Sequence, residues 1–303
     1  MKSSLATTKL STEEAVLHCL AYFDIFKHPL RFSEVLDFLS ISSDKNAVQQ
    51  ALDTLRQKNT VEKQEEFFSI TESNVDISIR KTAEARANAK MDHAIEYGKK
   101  ISSFPFVKGV LISGSLSKGV LHEDADYDFF LIIKQNRVWI AKLILKMYKL
   151  FFLGNSYEYF CINYLISDHT LQIPEQNLFT ATELLTAIPV SCEATLFTDL
   201  KKANAWVSDY LPNKQWRTYA EHTADKNSLA RFLQILLDNP LGSFLDRGIM
   251  SLTIIRNKMK YRKLSDKSIF NIAFKSTRSE AKVHPHNTQK KVLDTHKEKI
   301  SYL

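Results

Sequence analysis

The sequence predicts a mixed α/β chain of the α+β kind, in which a small mixed sheet is flanked by helical regions. Three observations carry this expectation. The apolar runs Phe106–Ile112, Tyr127–Ile133 and Tyr159–Ile166 are short and continuous, as buried strands are. The segments around them repeat apolar residues at three- and four-residue spacing, as amphipathic helices do. The 303 residues suffice for about two domains, or three if one is small.

Composition narrows the possibilities. Apolar residues make up 44% and charged residues 25%, close to the soluble globular average, which excludes intrinsic disorder, collagen and a disulfide-stapled miniprotein. Cys19, Cys161 and Cys192 lie far apart with no CxxC spacing, so neither a zinc site nor a disulfide framework is expected, and a cytoplasmic location fits. The start, MKSSLATTKLSTEE, lacks the apolar core of a signal peptide, and the most apolar stretch, Val138 to Gly154, is interrupted by Lys142, Lys146 and Lys149. No membrane-spanning segment is therefore expected. The net charge of +7 belongs to the C-terminal end: Arg256 to Leu303 hold 13 Lys/Arg against 4 Asp/Glu, a net +9, which leaves −2 for the rest. Such a run reads first as a solvated basic helical surface and second as a dock for a phosphate-bearing partner.

Residues 1–75 read as three short helices and a hairpin. Glu14 to Phe26 carries Ala15, Val16, Cys19, Leu20 and Phe23 at helical spacing; Ser33 can cap a second helix with Val35, Leu36 and Leu39; Ser43 precedes a third with Val48, Ala51, Leu52 and Leu55. Val61 to Ile70 reads as the hairpin. Three helices and a wing resemble a winged helix-turn-helix, and the exposed side of the third helix offers Lys45, Asn46, Gln49, Gln50, Arg56 and Lys58 to a major groove. DNA binding is nevertheless not favoured, because Glu62, Glu65 and Glu66 put carboxylates where a wing meets phosphates. Residues 76–102 read as a long connecting helix, Arg137 to Leu153 as another, and the region from Asn177 onward as mostly helical. The expected division is thus a module over 1–75, a core with its linking helix over 76–176, and a basic C-terminal helical region over 177–303.

Only 7 residues are glycine, and four of them (Gly98, Gly109, Gly114, Gly119) crowd into one stretch. There the chain reads as an apolar strand ending in Gly114-Ser115, then Lys118, then Asp126-Tyr127-Asp128 opening the next apolar strand. Residues two apart on a strand share a face, so Asp126 and Asp128 are placed to hold metal together. Hard oxygen ligands suit Mg²⁺, which keeps part of its shell for water and phosphates. A Gly-Ser turn lets a phosphate chain approach backbone amides, and Lys118 can offset phosphate charge.

At these residues the sequence resembles the DNA polymerase-β-like nucleotidyltransferase superfamily, whose pattern is an apolar strand, Gly-Ser, a turn of roughly ten residues, and Asp-x-Asp opening a second strand. The resemblance covers residues 105–166, about a fifth of the chain. It implies a small mixed-sheet nucleotidyltransferase core, flanked here by the winged helix and the helical C-terminal region. It also implies Mg²⁺ and an NTP held by Asp126 and Asp128 (metal) and by Gly114, Ser115 and Lys118 (triphosphate), with a hydroxyl-bearing acceptor. The family's third carboxylate, which can act as general base, is expected from a later strand. In this sequence Asn163 stands at such a position, and an amide ligates but does not accept a proton; Glu158 and Asp168 are the substitutes in reach of that strand.

The functional expectation is a Mg²⁺-dependent nucleotidyltransferase that places a nucleoside monophosphate on an acceptor hydroxyl. The alternative is a catalytically weakened nucleotide-binding regulator that signals through its winged helix. His284, His286 and His296 read as a basic loop and tail, since no carboxylate or Cys stands at ligand spacing. Lys142, Lys146 and Lys149 read as a solvated stripe, with an anionic substrate or membrane surface as the lesser possibility.

Overall fold

A computed structural model of the chain describes residues 10–154, 156, 158–219, 225–260, 275–282 and 288–303. The chain is mixed α/β, with two small sheets among the described residues. His284 and His286 lie outside the described residues.

The first helix, α1 (Thr12–Asp24), starts earlier than its apolar spacing suggests because Ser11 and Glu14 form a reciprocal capping box. After a turn come β1 (Leu30–Arg31) and α2 (Phe32–Asp37), then α3 (Lys45–Gln57). Ser33 does not cap α2. Arg31 occupies that position, its backbone N–H held by Glu34. Asp44, not Ser43, caps α3 by accepting from the Ala47 N–H. The expected hairpin is β2 (Val61–Gln64) and β3 (Phe67–Ile70), and β1 pairs with β3 to complete an antiparallel sheet ordered β1-β3-β2.

The long helix α4 (Ile77–Ser102) is capped by Asp76. Its first turns are stitched to the N-terminal module by charge: Arg31 pairs bidentately with Glu84 at 2.9 and 2.8 Å, Arg80 with Glu34 at 2.9 Å, and Lys81 with Glu65. Two hairpin carboxylates, Glu65 and Glu66, are therefore turned toward the protein's own cations.

The larger sheet is ordered β7-β4-β5-β6-β8. Its centre is β4 (Val107–Ser113) antiparallel to β5 (Asp128–Ile133), which runs parallel to β6 (Cys161–Ser167). The parallel pair needs a crossover, supplied by α6 (Val138–Phe152). The edges are β7 (Ile188–Cys192) on β4 and β8 (Glu280–Lys282) on β6. Both edges come from beyond residue 176, so the sheet does not end at the boundary the sequence suggested. The sequence shows that part of the chain as mostly helical because neither edge strand carries a sustained apolar run.

The sheet alternates as strands must. Val110, Ile112, Phe129, Leu131 and Ile133 face a core shared with α4 and α6. Leu111, Phe130, Ile132 and Ile166 face a second core. That core holds the N-terminal module together with α7 (Leu178–Thr186), α8 (Ala194–Ala203) and α12 (Thr288–Ser301). Between α7 and α12 lie the one-turn helix α9 (Val207–Tyr210), α10 (Ser228–Leu237) and α11 (Pro240–Lys260). The last helix, α12, packs on α1, with Lys299 paired to Asp24 and the His296 ring 3.0 Å from the His18 carbonyl. Both ends of the described chain thus share one core. Among the described residues no helix is long and apolar enough to cross a membrane.

Candidate functional site

The site forms where β4 ends beside the start of β5. Ser113 and Asp128 are register partners, and the chain then turns through a four-residue helix, α5 (Gly114–Ser117). Gly114 has φ +67°, and a Cβ there would lie 2.2 Å from Asp128 Oδ2. Both backbone conformation and space therefore require glycine at this place, and Asp128 is the reason for the second.

Asp128 opens β5, whereas Asp126 precedes the strand in a loop. Burial pushes the Asp128 carboxyl up to about 6; a hydrogen bond from Cys161 pulls against this, Glu183 and Asp126 add like charge, and the Asn163 hydrogen bond lowers it again. Asp126 is raised as well, first by burial, with Cys161 and Lys149 opposing and Glu158 adding to it. Asp126 therefore adds its charge to Asp128 in a partly desolvated corner.

On the neighbouring strand, Cys161 is the register partner of Asp128, and the ladder slips between Phe129 and Phe130. The slip leaves Asn163 between the partners Ile162 and Tyr164. From there Asn163 Nδ2 donates to Asp128 Oδ1, and its own Oδ1 lies 3.2 Å from the Cys161 thiol. Asn163 thus lies beside Asp128, the aspartate that opens β5. Its amide spends a donor on Asp128, a contact that a carboxylate could make only when protonated.

Lys118 reaches back over the turn: its Nζ donates to the Gly114 carbonyl at 3.0 Å and pairs with Glu183 on α7 at 2.7 Å. It is thus not a free charge awaiting phosphate; a phosphate there must compete with Glu183. Ser117, fully buried, donates to the Gly114 carbonyl at 2.8 Å and fixes the same turn. Ser115 is half-buried in the turn.

The two substitute carboxylates separate. Glu158 is exposed just ahead of β6, and its charge is felt by Asp126. Asp168 lies past the opposite end of β6, where it accepts from the Gln135 N–H at 2.8 Å. The length of the strand keeps it away from the aspartates.

Two residues that sequence reading did not place in the site belong to it. Glu183 stands 65 positions from its partner Lys118, and no local pattern announces a contact of that span. The spacing predicts Lys149 in a solvated stripe, yet it is buried and its charge pulls on Asp126 and Cys161. Of that stripe only Lys146 is exposed; Lys142 lies over the Trp139 ring at 4.9 Å. The reason is that α6 is covered by α11 as well as by the sheet, so its long aliphatic stems are drawn under cover. Between the two aspartates in the chain, Tyr127 is hydrogen-bonded to His93 at 3.2 Å, and Tyr159 packs on both rings.

Among the described residues no group of three or more His, Cys, Asp or Glu side chains is arranged to hold a metal. The donors present are two carboxylates and one amide oxygen. That set is hard and incomplete, which fits an ion that takes its remaining ligands from water and phosphate, as Mg²⁺ does. The raised Asp128 carboxyl adds to the fit, since a nearby cation is what a buried carboxylate lacks. No protein-family model, curated protein or solved structure matches the chain.

Proposed function

We propose that the chain is a Mg²⁺-dependent nucleotidyltransferase of the polymerase-β-like type, with a winged-helix module ahead of it. The single observation that carries this reading is the packing of Gly114 against Asp128, with Asp126 beside it: a tight backbone turn set against two carboxylates. The antiparallel-then-parallel order of β4, β5 and β6, and the helix α6 that crosses over between the last two, support it.

In this reading Asp126 and Asp128 hold Mg²⁺, with the Asn163 carbonyl oxygen as a further donor. The ion would neutralise triphosphate charge. Gly114 and Ser115 offer backbone N–H groups and a hydroxyl to the phosphates, and Lys118 exchanges Glu183 for a phosphate oxygen. The acceptor oxygen forms a bond to the α-phosphorus as the bond to pyrophosphate breaks. Its proton has no base at Asn163, so Glu158 or solvent takes it. Catalysis here is mostly positioning and charge stabilisation.

A screen with radiolabelled NTPs across acceptor classes (antibiotics, nucleic-acid ends, protein hydroxyls, lipid-linked or sugar head groups) tests the reading. Asp126→Asn or Asp128→Asn should abolish Mg²⁺-dependent pyrophosphate release while leaving thermal melting nearly unchanged. Full activity in both variants ends the proposal.

The Asn163–Asp128 hydrogen bond and the Lys118–Glu183 ion pair favour a second reading, in which the same site binds Mg-nucleotide without turnover and acts as a regulator. Calorimetric binding of Mg-nucleotide with no pyrophosphate released on any acceptor would select it.

A further inference from the structure

The sequence left Lys142, Lys146 and Lys149 and the basic C-terminal end without a firm role, and the fold gathers part of both on one side. The helices α10 and α11 pack on one another, and α11 packs on α6. Their outer surfaces are apolar to an unusual degree. On α11, Leu241, Leu245, Leu252, Ile255 and Met259 recur at alternating four- and three-residue steps, with Gly248 filling the one gap, and all are exposed. Phe244 on the same helix is 69% exposed and Ile235 on α10 is 80% exposed. The end of α6 adds Phe151 and Phe152, also exposed. An exposed apolar stripe such as that of α11 marks an interaction surface.

Among the described residues of α6, α10 and α11, the exposed charges beside this face are cations. Arg247, Arg256, Lys258 and Lys260 stand on α11, Arg231 on α10 and Lys146 on α6. Lys146 lies close enough to Arg256, Lys149 and Lys260 that its ammonium, lowered first by burial, is lowered further by all three. The two acidic residues of the α10–α11 stretch are already engaged. Asp246 is buried and accepts the Trp139 and Ile140 N–H groups at the start of α6, each at 2.8 Å; Asp238 pairs with Lys134 and Arg137. Two copies of this chain meeting through the face would bring cation against cation. An anionic partner is required, and a broad apolar face rimmed by Lys and Arg is what an interfacial helix presents to a lipid surface.

We propose that the face formed by α6, α10 and α11 docks on an anionic lipid bilayer, with its apolar residues at the headgroup boundary and its cations on the phosphates. This does not depend on the nucleotidyltransferase reading. It holds for a regulator equally, and it adds a peripheral membrane association to either.

The test is co-sedimentation of the full chain with vesicles of phosphatidylcholine alone and of phosphatidylcholine and phosphatidylglycerol in equal amounts. The chain should pellet with the second and much less with the first, and added salt should weaken the binding. Lys146→Glu with Arg256→Glu should reduce binding to the anionic vesicles by about tenfold or more. Phe244→Ser with Ile255→Ser should reduce binding to them even at low salt. All four positions are solvent-facing, and melting curves check that the variants remain folded. Equal pelleting with both vesicle types, none with either, or variants that bind like the wild type would overturn the proposal. So would a concentration-dependent dimer that the Phe244→Ser, Ile255→Ser variant abolishes.

Discussion

Asn163 decides more about the chemistry than any other single residue. In the proposed reading it takes the place of the base, and its amide is committed to Asp128. If the site turns over, transfer should be slow at neutral pH. Asn163→Asp should raise pyrophosphate release toward the ~10²–10⁴-fold that general-base assistance contributes. The opposing force is repulsion: Asp128 is already raised by burial and by the charges of Glu183 and Asp126, and a third carboxylate adds to that. Measuring turnover of wild type and variant across pH, with Mg²⁺ present, separates the two. A large gain identifies a weakened enzyme. No gain, with nucleotide binding unchanged, favours the regulator.

Among the elements, the turn between α1 and β1 carries a testable charge effect. His28 is buried there against Phe23, and burial, followed by the nearby Arg80 and Lys118, holds its imidazole down at about 3. In the unfolded chain it titrates near ~6.5. Between those values the unfolded state binds the extra proton, so the neutral imidazole's stabilisation is complete above ~6.5 and is lost as pH falls toward 3. His28→Gln, which cannot titrate, should lose less stability than wild type over that window. By pH 4 the gap between them should narrow by about 2–3 kcal/mol relative to pH 7. Denaturant melts at both pH values measure this, and parallel curves would refute it.

At the scale of the whole molecule, the N-terminal module is built into the fold. Val292 of α12 is buried in the same core as Ala15, Leu20 and Leu52, and the ion pairs to α4 close the other side. Thermal unfolding should therefore be a single transition, and Val292→Ala should lower it as a whole, at a cost of about 1–3 kcal/mol. A module melting separately from the sheet would contradict this. The same anchoring, with the hairpin carboxylates turned onto Arg31 and Lys81, argues against an independent DNA reader. At physiological salt the full chain should not shift duplex DNA tightly. A tight shift that Lys45→Glu with Arg56→Glu abolishes would restore that role.

The sequence by itself determined the strands at the centre of the sheet, the long helices and the turn at Gly114. Each is written locally, in continuous apolar runs, helical spacing or the one residue type that tolerates the turn. Asp128 and Asn163 were placed on neighbouring strands for the same reason, whereas Asp126, read as part of the same strand, lies in the loop ahead of it. Only the tertiary structure decided the edges and the charges. Glu280–Lys282 reads as polar, and it is a buried strand because Tyr164, 116 residues away in the chain, satisfies Glu280. Glu183 and Lys149 joined the site in the same way, brought there by α7 and α6. A charge's role depends on what lies within a few ångströms of it, and those partners stand tens of residues away in the chain.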